Sequence, residues 1–249
     1  MMTLKKATMT AAILASFAIT GMAQARIIDD FEAGTAVAND SVVDSPTPLP
    51  VTAFDAGLSN VNVIGGARDL SANMTQKIGP SSAVQTSVNA GSLQSLRSSG
   101  TRGVSTVDWD GTADGILNTT GLGGLNLMLD GSTEFELVVA SDNPGGTLGL
   151  TVWDVLGHSF TSSITSPLTT SSVDYFLDFE SFKKAGVDFT NIGAIQLTVD
   201  SAAARNLRID SLVTLNGNPN QPSIPEPATM ALMGLGLIGL GWTRRGRAV

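Results

Sequence analysis

The chain of 249 residues contains no cysteine and a single histidine, His158. Without thiols there are no disulfide staples, no thiolate metal site and no thiol nucleophile, so an exported form must draw its stability from a packed core. One histidine cannot supply the clustered imidazoles of a zinc centre. It follows Gly157 in a turn, where a solvated side chain is its ordinary state. No H-E-x-x-H, G-x-S-x-G or G-x-x-x-x-G-K pattern occurs, which removes the commonest metalloprotease, hydrolase and nucleotide-binding signatures. Bases are scarce, 14 Lys and Arg against 22 Asp and Glu, for a net charge of −8. Lys5, Lys6, Arg244, Arg245, Arg247 and Glu226 lie at the two ends, which leaves nine bases against 21 acids and a net charge of −12 between them. Nucleic acid, which needs basic stripes, is thereby excluded as a partner.

Gly, Ser, Thr, Asn and Asp abound, while heptads and long charged helical faces are missing. Runs with strand character span 27–31, 61–64, 83–88, 104–109, 122–129, 135–140, 148–154, 175–179, 192–199 and 207–215. Turn signals such as Asp110-Gly111, Asp130-Gly131 and Asn143-Pro144-Gly145-Gly146 separate them. Phe135, Leu137 and Val139 alternate with Glu134 and Glu136, and Leu148, Leu150 and Val152 alternate with Thr147, Thr151 and Trp153. One apolar and one polar face per strand is the requirement of two packed antiparallel sheets. The expected fold is all-β, an antiparallel sandwich over residues 26–215, with a short helix at 180–186 and a long loop at 34–58. Residues 216–223, rich in Asn, Pro and Gln, form a linker.

Both ends are apolar. The first 25 residues carry Lys5 and Lys6, then a short apolar run closing on Ala23-Gln24-Ala25, which is a secretory signal with cleavage expected after Ala25. Such a signal implies the Sec translocon as a partner. At the other end Pro225-Glu226-Pro227 precedes an uncharged segment running from Ala228 through Leu232, Leu235, Leu237, Ile238 and Leu240 to Trp242, followed by Arg244, Arg245 and Arg247. About fifteen residues at 1.5 Å each make a helix of roughly 23 Å, short of the ~30 Å hydrocarbon core. The basic flank nevertheless fits an inner-membrane stop whose arginines stay cytoplasmic. Pro-Glu-Pro, apolar helix and arginine cluster, in that order, resemble the PEP-CTERM sorting signal of exopolysaccharide-producing Gram-negative bacteria. The resemblance covers about the last twenty-five residues, with Ile224 where many members have Val. It implies an exosortase as partner, cutting near Pro-Glu-Pro, and a product released to the cell surface, matrix or biofilm.

The body carries a second, looser resemblance. The stretches IIDDFE, VNVIGGARDL, STVDWDG and FTNIGAIQLTVD…LRIDSL look like the galactose-binding-like jelly roll shared by many carbohydrate-binding modules. That resemblance implies first and last strands side by side, which would gather Asp30, Glu32 and Asp210 as oxygen ligands for a structural calcium. It also makes exopolysaccharide the expected ligand. Trp109 shares a face with Val107, and Tyr175 with Leu177 and Phe179, so both are assigned to the core. Trp153 lies beside Thr151 and Gly149 and is the candidate for stacking on a sugar ring. Asp108, Asp110 and Asp114 lack the spacing and closing Glu of an EF-hand and read as a turn. Glu134 and Glu136 share one strand face and are read as its solvent side rather than a glycosidase pair. The expected function is therefore an exported, non-enzymatic surface or matrix protein that binds polysaccharide. A purely structural or adhesive role is the alternative, and an enzyme on polysaccharide the weakest reading.

Overall fold

Among the described residues thirteen strands form two antiparallel sheets, with apolar and polar residues alternating most clearly in Glu134–Ser141 and Gly146–Asp154. The computed structural model describes residues 25–42, 49–142, 146–165, 169–201 and 206–217. The expected signal helix and the expected tail helix lie outside these residues. Among the described residues no helix is long and apolar enough to cross a membrane. The strands are β1 (Arg26–Asp29), β2 (Val37–Asp40), β3 (Val51–Asp55), β4 (Arg68–Gln76), β5 (Val84–Val88), β6 (Leu93–Arg97) and β7 (Arg102–Trp109). They continue with β8 (Glu134–Ser141), β9 (Gly146–Asp154), β10 (Ser159–Thr165), β11 (Thr169–Asp178), β12 (Ile192–Ser201) and β13 (Leu207–Leu215).

One sheet has seven strands in the order β11-β8-β13-β6-β5-β2, with β1 also paired to β13; the other has six, in the order β10-β9-β12-β7-β4-β3. From β6 onward the chain crosses repeatedly between sheets, so each sheet is closed by strands distant in sequence. The first strand lies antiparallel to the last, with Ile27 opposite Val213, as a jelly roll requires.

Phe135, Leu137 and Val139 from β8 meet Leu148, Leu150 and Val152 from β9 and Ile195, Leu197 and Val199 from β12, all essentially without solvent contact. At one end α1 (Phe179–Lys184) closes the core. Asp178 caps it by accepting from the Glu180 N–H at 2.6 Å, satisfying one of the orphan donors of the first turn. Phe179 and Phe182, one helical turn apart, are buried against Phe135 and Phe189. The helix falls within a residue or two of its expected place.

Four expectations are corrected. Residues 61–64 are not a strand: a 3-10 turn at Ile64–Gly66 follows, and only Val63 bridges to Asp29. Gly65 and Gly66 both hold positive φ there, which a β run cannot accommodate. Residues 122–129 form turns in the long β7–β8 connection, with a single bridge from Leu125 to Ile192. The segment 34–58 is not a loop throughout, since it contains β2 and β3. Strands β4, β6 and β10 arise where charge or serine weakens the β signal. They form because their neighbours offer an unpaired ladder and an apolar face to cover.

A buried ionic knot joins the segments that carry the jelly-roll resemblance. Arg68 has no solvent exposure and donates from Nη1 to both oxygens of Asp29, at 2.8 and 2.7 Å. Its Nε donates to Asp55 Oδ2 at 3.1 Å, and Nη2 donates to the Ala33 carbonyl. Asp29 further accepts from Trp109 Nε1 and the Phe31 N–H, each at 2.8 Å. Asp55 in turn accepts from the N–H groups of Thr35 and Ala36. The Arg68 guanidinium also lies 5.7 Å from the centre of the Phe31 ring. Phe31 itself has φ of 55°, a conformation this bonding holds in place.

Candidate functional site: the outer face of the six-stranded sheet

Register converts separate sequence positions into continuous rows on the outer face of the six-stranded sheet. One row crosses every strand in the order Thr161, Thr151, Gln196, Asp108, Asp69, Phe54. The next runs Ser163, Gly149, Thr198, Thr106, Ser71, Thr52. Side-chain bonds stiffen the surface: Thr151 to Thr161 at 2.8 Å, Ser71 to Thr106 at 2.6 Å, and Gln196 Nε2 donating to Asp108 Oδ1 at 2.7 Å. Trp153 is half-buried on this same face, opposite Ser159 of β10 and Ala194 of β12. Phe54 marks the other flank, 53% exposed. The result is a pavement of hydroxyl and amide groups with an aromatic ring near each side.

The β7–β8 connection reaches over one part of this face. Asp110, fully buried, accepts from the N–H and hydroxyl of Thr112 and from the Asn118 N–H, which folds the loop back on itself. Gly115, with φ of 76°, then donates to Asp69 Oδ2 at 3.0 Å. Asp69 is left only 2% exposed, its Oδ1 buried without a hydrogen-bond partner. Asp69 and Asp108 are direct cross-strand neighbours, which places their side chains side by side. Burial pushes the Asp69 carboxyl up to about 6, the Gly115 and Asp114 N–H groups opposing and the Asp110 and Asp114 charges adding. Burial likewise pushes Asp108 up to about 6, with Gln196 opposing and Asp69 and Asp110 adding.

The other residues singled out from sequence occupy different places. Trp109 is fully buried, and Tyr175 packs against the core, as expected. Glu134 and Glu136 lie on the outer side of β8, opposite Asp178 and Phe176. Both carboxyls are raised by burial and by acidic neighbours, Asp178 for Glu134 and Asp174 for Glu136. His158 is 53% exposed, but its Nδ1 is bonded to Asp154 Oδ2 at 2.8 Å. Burial alone would raise Asp154; the His158 bond and the N–H groups of Asp188, His158 and Leu156 together hold it below the usual carboxylate range. That arrangement closes the β9–β10 hairpin.

Asp30, Glu32 and Asp210 turn to three different partners. Asp30 accepts from Asn62 Nδ2 and the Glu32 N–H. The Glu32 carboxylate lies against Gly91. Asp210, next to a bulge in β13, accepts from Arg208 Nε at 2.8 Å and the Ser172 hydroxyl at 2.6 Å. A cation shared by the three would have to displace Asn62, Arg208 and Ser172. Among the described residues no group of three or more His, Cys, Asp or Glu side chains is placed to hold a metal ion.

Comparison with known proteins separates tail from body. Residues 223–245 match the PEP-CTERM protein-sorting motif. The motif implies an exported protein of Gram-negative bacteria sorted by an exosortase. No curated protein matches the sequence. The body is similar to a family 29 carbohydrate-binding module, at 14% identity over 70% of this chain and 100% of that one, with a TM-score of 0.36. It is similar to the family 11 carbohydrate-binding module of the cellulosomal cellulase Lic26A-Cel5E of Clostridium thermocellum, at 12% identity over 77% and 94%, TM-score 0.39. A third similarity is to PfGH50B, at 11% identity over 58% of this chain, TM-score 0.40; the chain spans only 22% of that protein's length.

Proposed function

We propose that the chain is exported, held briefly in the inner membrane by its tail, and released to the cell surface or matrix as a non-enzymatic polysaccharide-binding sandwich. The observation that carries the binding half is the outer face of the six-stranded sheet. Its two rows of hydroxyl and amide groups suit the hydroxyls of a sugar chain, and Trp153 supplies an apolar plane for a ring. A face that runs across six strands also suits an extended polymer better than a single small molecule. Trp153→Ala should abolish the retardation of the body in gels containing the host polysaccharide, while the melting temperature stays within a few degrees. Unchanged retardation would remove the face from consideration and favour the structural or adhesive reading, for which the exposed Phe176 and Val173 on edge strand β11 offer apolar contact.

Delivery divides between the two ends. Translocation through Sec and cleavage after Ala25 would leave Arg26 first, and β1 begins at that residue, so no described strand is lost. Ala228 to Trp242 would then stop in the membrane with Arg244, Arg245 and Arg247 inside. The exosortase must reach a peptide bond that no helix shields. Pro225 and Pro227 lack backbone N–H groups and resist joining the helix behind them, and Glu226 resists burial in hydrocarbon. Replacing Pro225, Glu226 and Pro227 together by alanine should leave full-length protein in the inner-membrane fraction. Release of this variant at the normal rate would show that recognition lies elsewhere.

A further inference from the structure

The charge pattern of the outer face narrows the ligand class beyond polysaccharide in general, and the step rests on that reading. Among the described residues, the outward positions of the six strands carry a single base, Arg102, at the opposite end of β7 from Asp108. Lys77, just beyond β4 at that same far end, donates to the Ser41 carbonyl. The row that joins Trp153's side of the sheet to Phe54 instead has two adjacent carboxylates at its centre, and Asp110 and Asp114 add negative charge from the covering loop. Among the described residues no cationic side chain pairs with them. Asp69 Oδ1 is buried without a partner. Asp108 spends Oδ1 on Gln196, while its Oδ2 makes no hydrogen bond among the described residues and is not among the enclosed atoms. Asp108 as a whole is only 9% exposed, so that oxygen is the one part of the carboxylate pair left to meet the outer face, beside the neutral groups of Gln196, Thr151 and Thr161. Only one strand, β12, separates it from Trp153's strand, a distance of about 10 Å across the sheet, within the span of a short oligosaccharide.

We infer that the ligand is a glycan carrying free amino groups, with one sugar ring against Trp153 and an ammonium on a neighbouring ring donating to Asp108 Oδ2. An ammonium brings the missing positive charge and up to three N–H donors to a site that has acceptors in excess. A uronate, sulfate or phosphate would place a further negative charge beside two carboxylates and gain no basic partner there. An N-acetylated sugar would offer one neutral N–H and a bulkier group to the same oxygen.

The test compares four ligands on the full-length chain, purified in mild detergent, by calorimetry near neutral pH. These are an oligomer of 2-amino-2-deoxyglucose, its fully N-acetylated counterpart, a neutral glucan of equal length and an oligouronate. The amino oligomer should bind about ten- to a hundredfold tighter than the acetylated one, the margin of a charge-assisted bond over a neutral one. Asp108→Asn keeps the shape of the side chain and should erase that margin. Asp174→Asn, on β11 in the other sheet, should preserve it, which separates the site from general attraction to an acidic protein. Thr151→Lys, which leaves the buried pair untouched, should turn the preference toward the oligouronate. Equal binding of amino and acetylated oligomers, still weakened by Trp153→Ala, would overturn the amino-group inference and leave polysaccharide binding standing. Equal losses in Asp108→Asn and Asp174→Asn would overturn it too. Binding of none of the four would overturn both.

Discussion

Arg68→Ala should cost the sandwich about 3–5 kcal/mol, enough to unfold much of it at growth temperature. The size follows from what is left behind rather than from the strength of the pair. Asp29 is fully buried, and burial already raises its carboxyl despite Arg68, Trp109 and the Phe31 N–H. Removing the guanidinium leaves that carboxyl without its counter-charge, and it must take up a proton or carry a charge inside the core. The same change strips the Ala33 carbonyl of its Arg68 donor and leaves Asp55 Oδ2 with only the Ala36 N–H, so the chain from Phe31 to Ala36 loses part of its anchoring. Arg68→Lys should recover only part, because a single ammonium cannot reach Asp29, Asp55 and Ala33 as a planar fork does. Pairing Arg68→Met with Asp29→Asn should be milder than Arg68→Ala alone, since no uncompensated charge remains. Urea unfolding of the set decides it: a loss below about 1 kcal/mol in Arg68→Ala would show that the knot is incidental.

This knot explains why the jelly-roll resemblance could be felt in the sequence without being understood there. Asp29 lies in IIDDFE, Arg68 in GGARDL and Trp109 in VDWDG, and the structure brings all three to one point. Local patterns spoke plainly where one strand carried its own information. The alternation of β8 and β9, the short α1 and the buried Trp109 could all be read because period and neighbours suffice to assign them. The tail was equally plain, since its motif is contiguous and needs no partner. Strands β2 and β3 stayed hidden because Pro46, Pro48 and Pro50 crowd the segment between them. Strand β4 hid behind the adjacent charges of Arg68 and Asp69, one facing inward and one outward. The candidate face was beyond reach for another reason. Trp153 could be named as an outward aromatic, but Gln196 meets Asp108, and Asp108 meets Asp69, only through the register of strands far apart in sequence. Periodicity gives the face of each strand and says nothing about which residue stands opposite.

Lowering the pH from about 7.5 to about 4.5 should make the sandwich more stable, the reverse of ordinary acid denaturation. Asp69 and Asp108 are both raised by burial, from 3.8 to about 6, so the folded chain holds protons that the unfolded chain releases. A raised carboxyl contributes stability that is complete below its unfolded value and is lost as the pH climbs through its folded value. The gain should therefore appear between about pH 6.5 and 4. A two-unit shift is worth about 3 kcal/mol for one group; because Asp69 and Asp108 feel each other's charge, the two together should give less than twice that. Asp154 works in the opposite direction but over a lower range, since its carboxyl is held below 3.8 and gives up stability only as the pH falls past that value. Asp69→Asn removes one charge of the pair and keeps an oxygen to accept the Gly115 N–H. It should raise the melting temperature near pH 7.5 by several degrees and flatten the pH profile, leaving the value near pH 4.5 almost unchanged. Asp108→Asn should behave alike, and the double variant should lose most of the pH dependence, the raised carboxyls of Asp29, Glu134 and Glu136 leaving a residual slope of the same sign. A wild-type curve that falls steadily on acidification from neutral pH, or an Asp69→Asn chain that melts lower than wild type near pH 7.5, would mean that the two carboxylates do not share an uncompensated, largely buried site between β4 and β7.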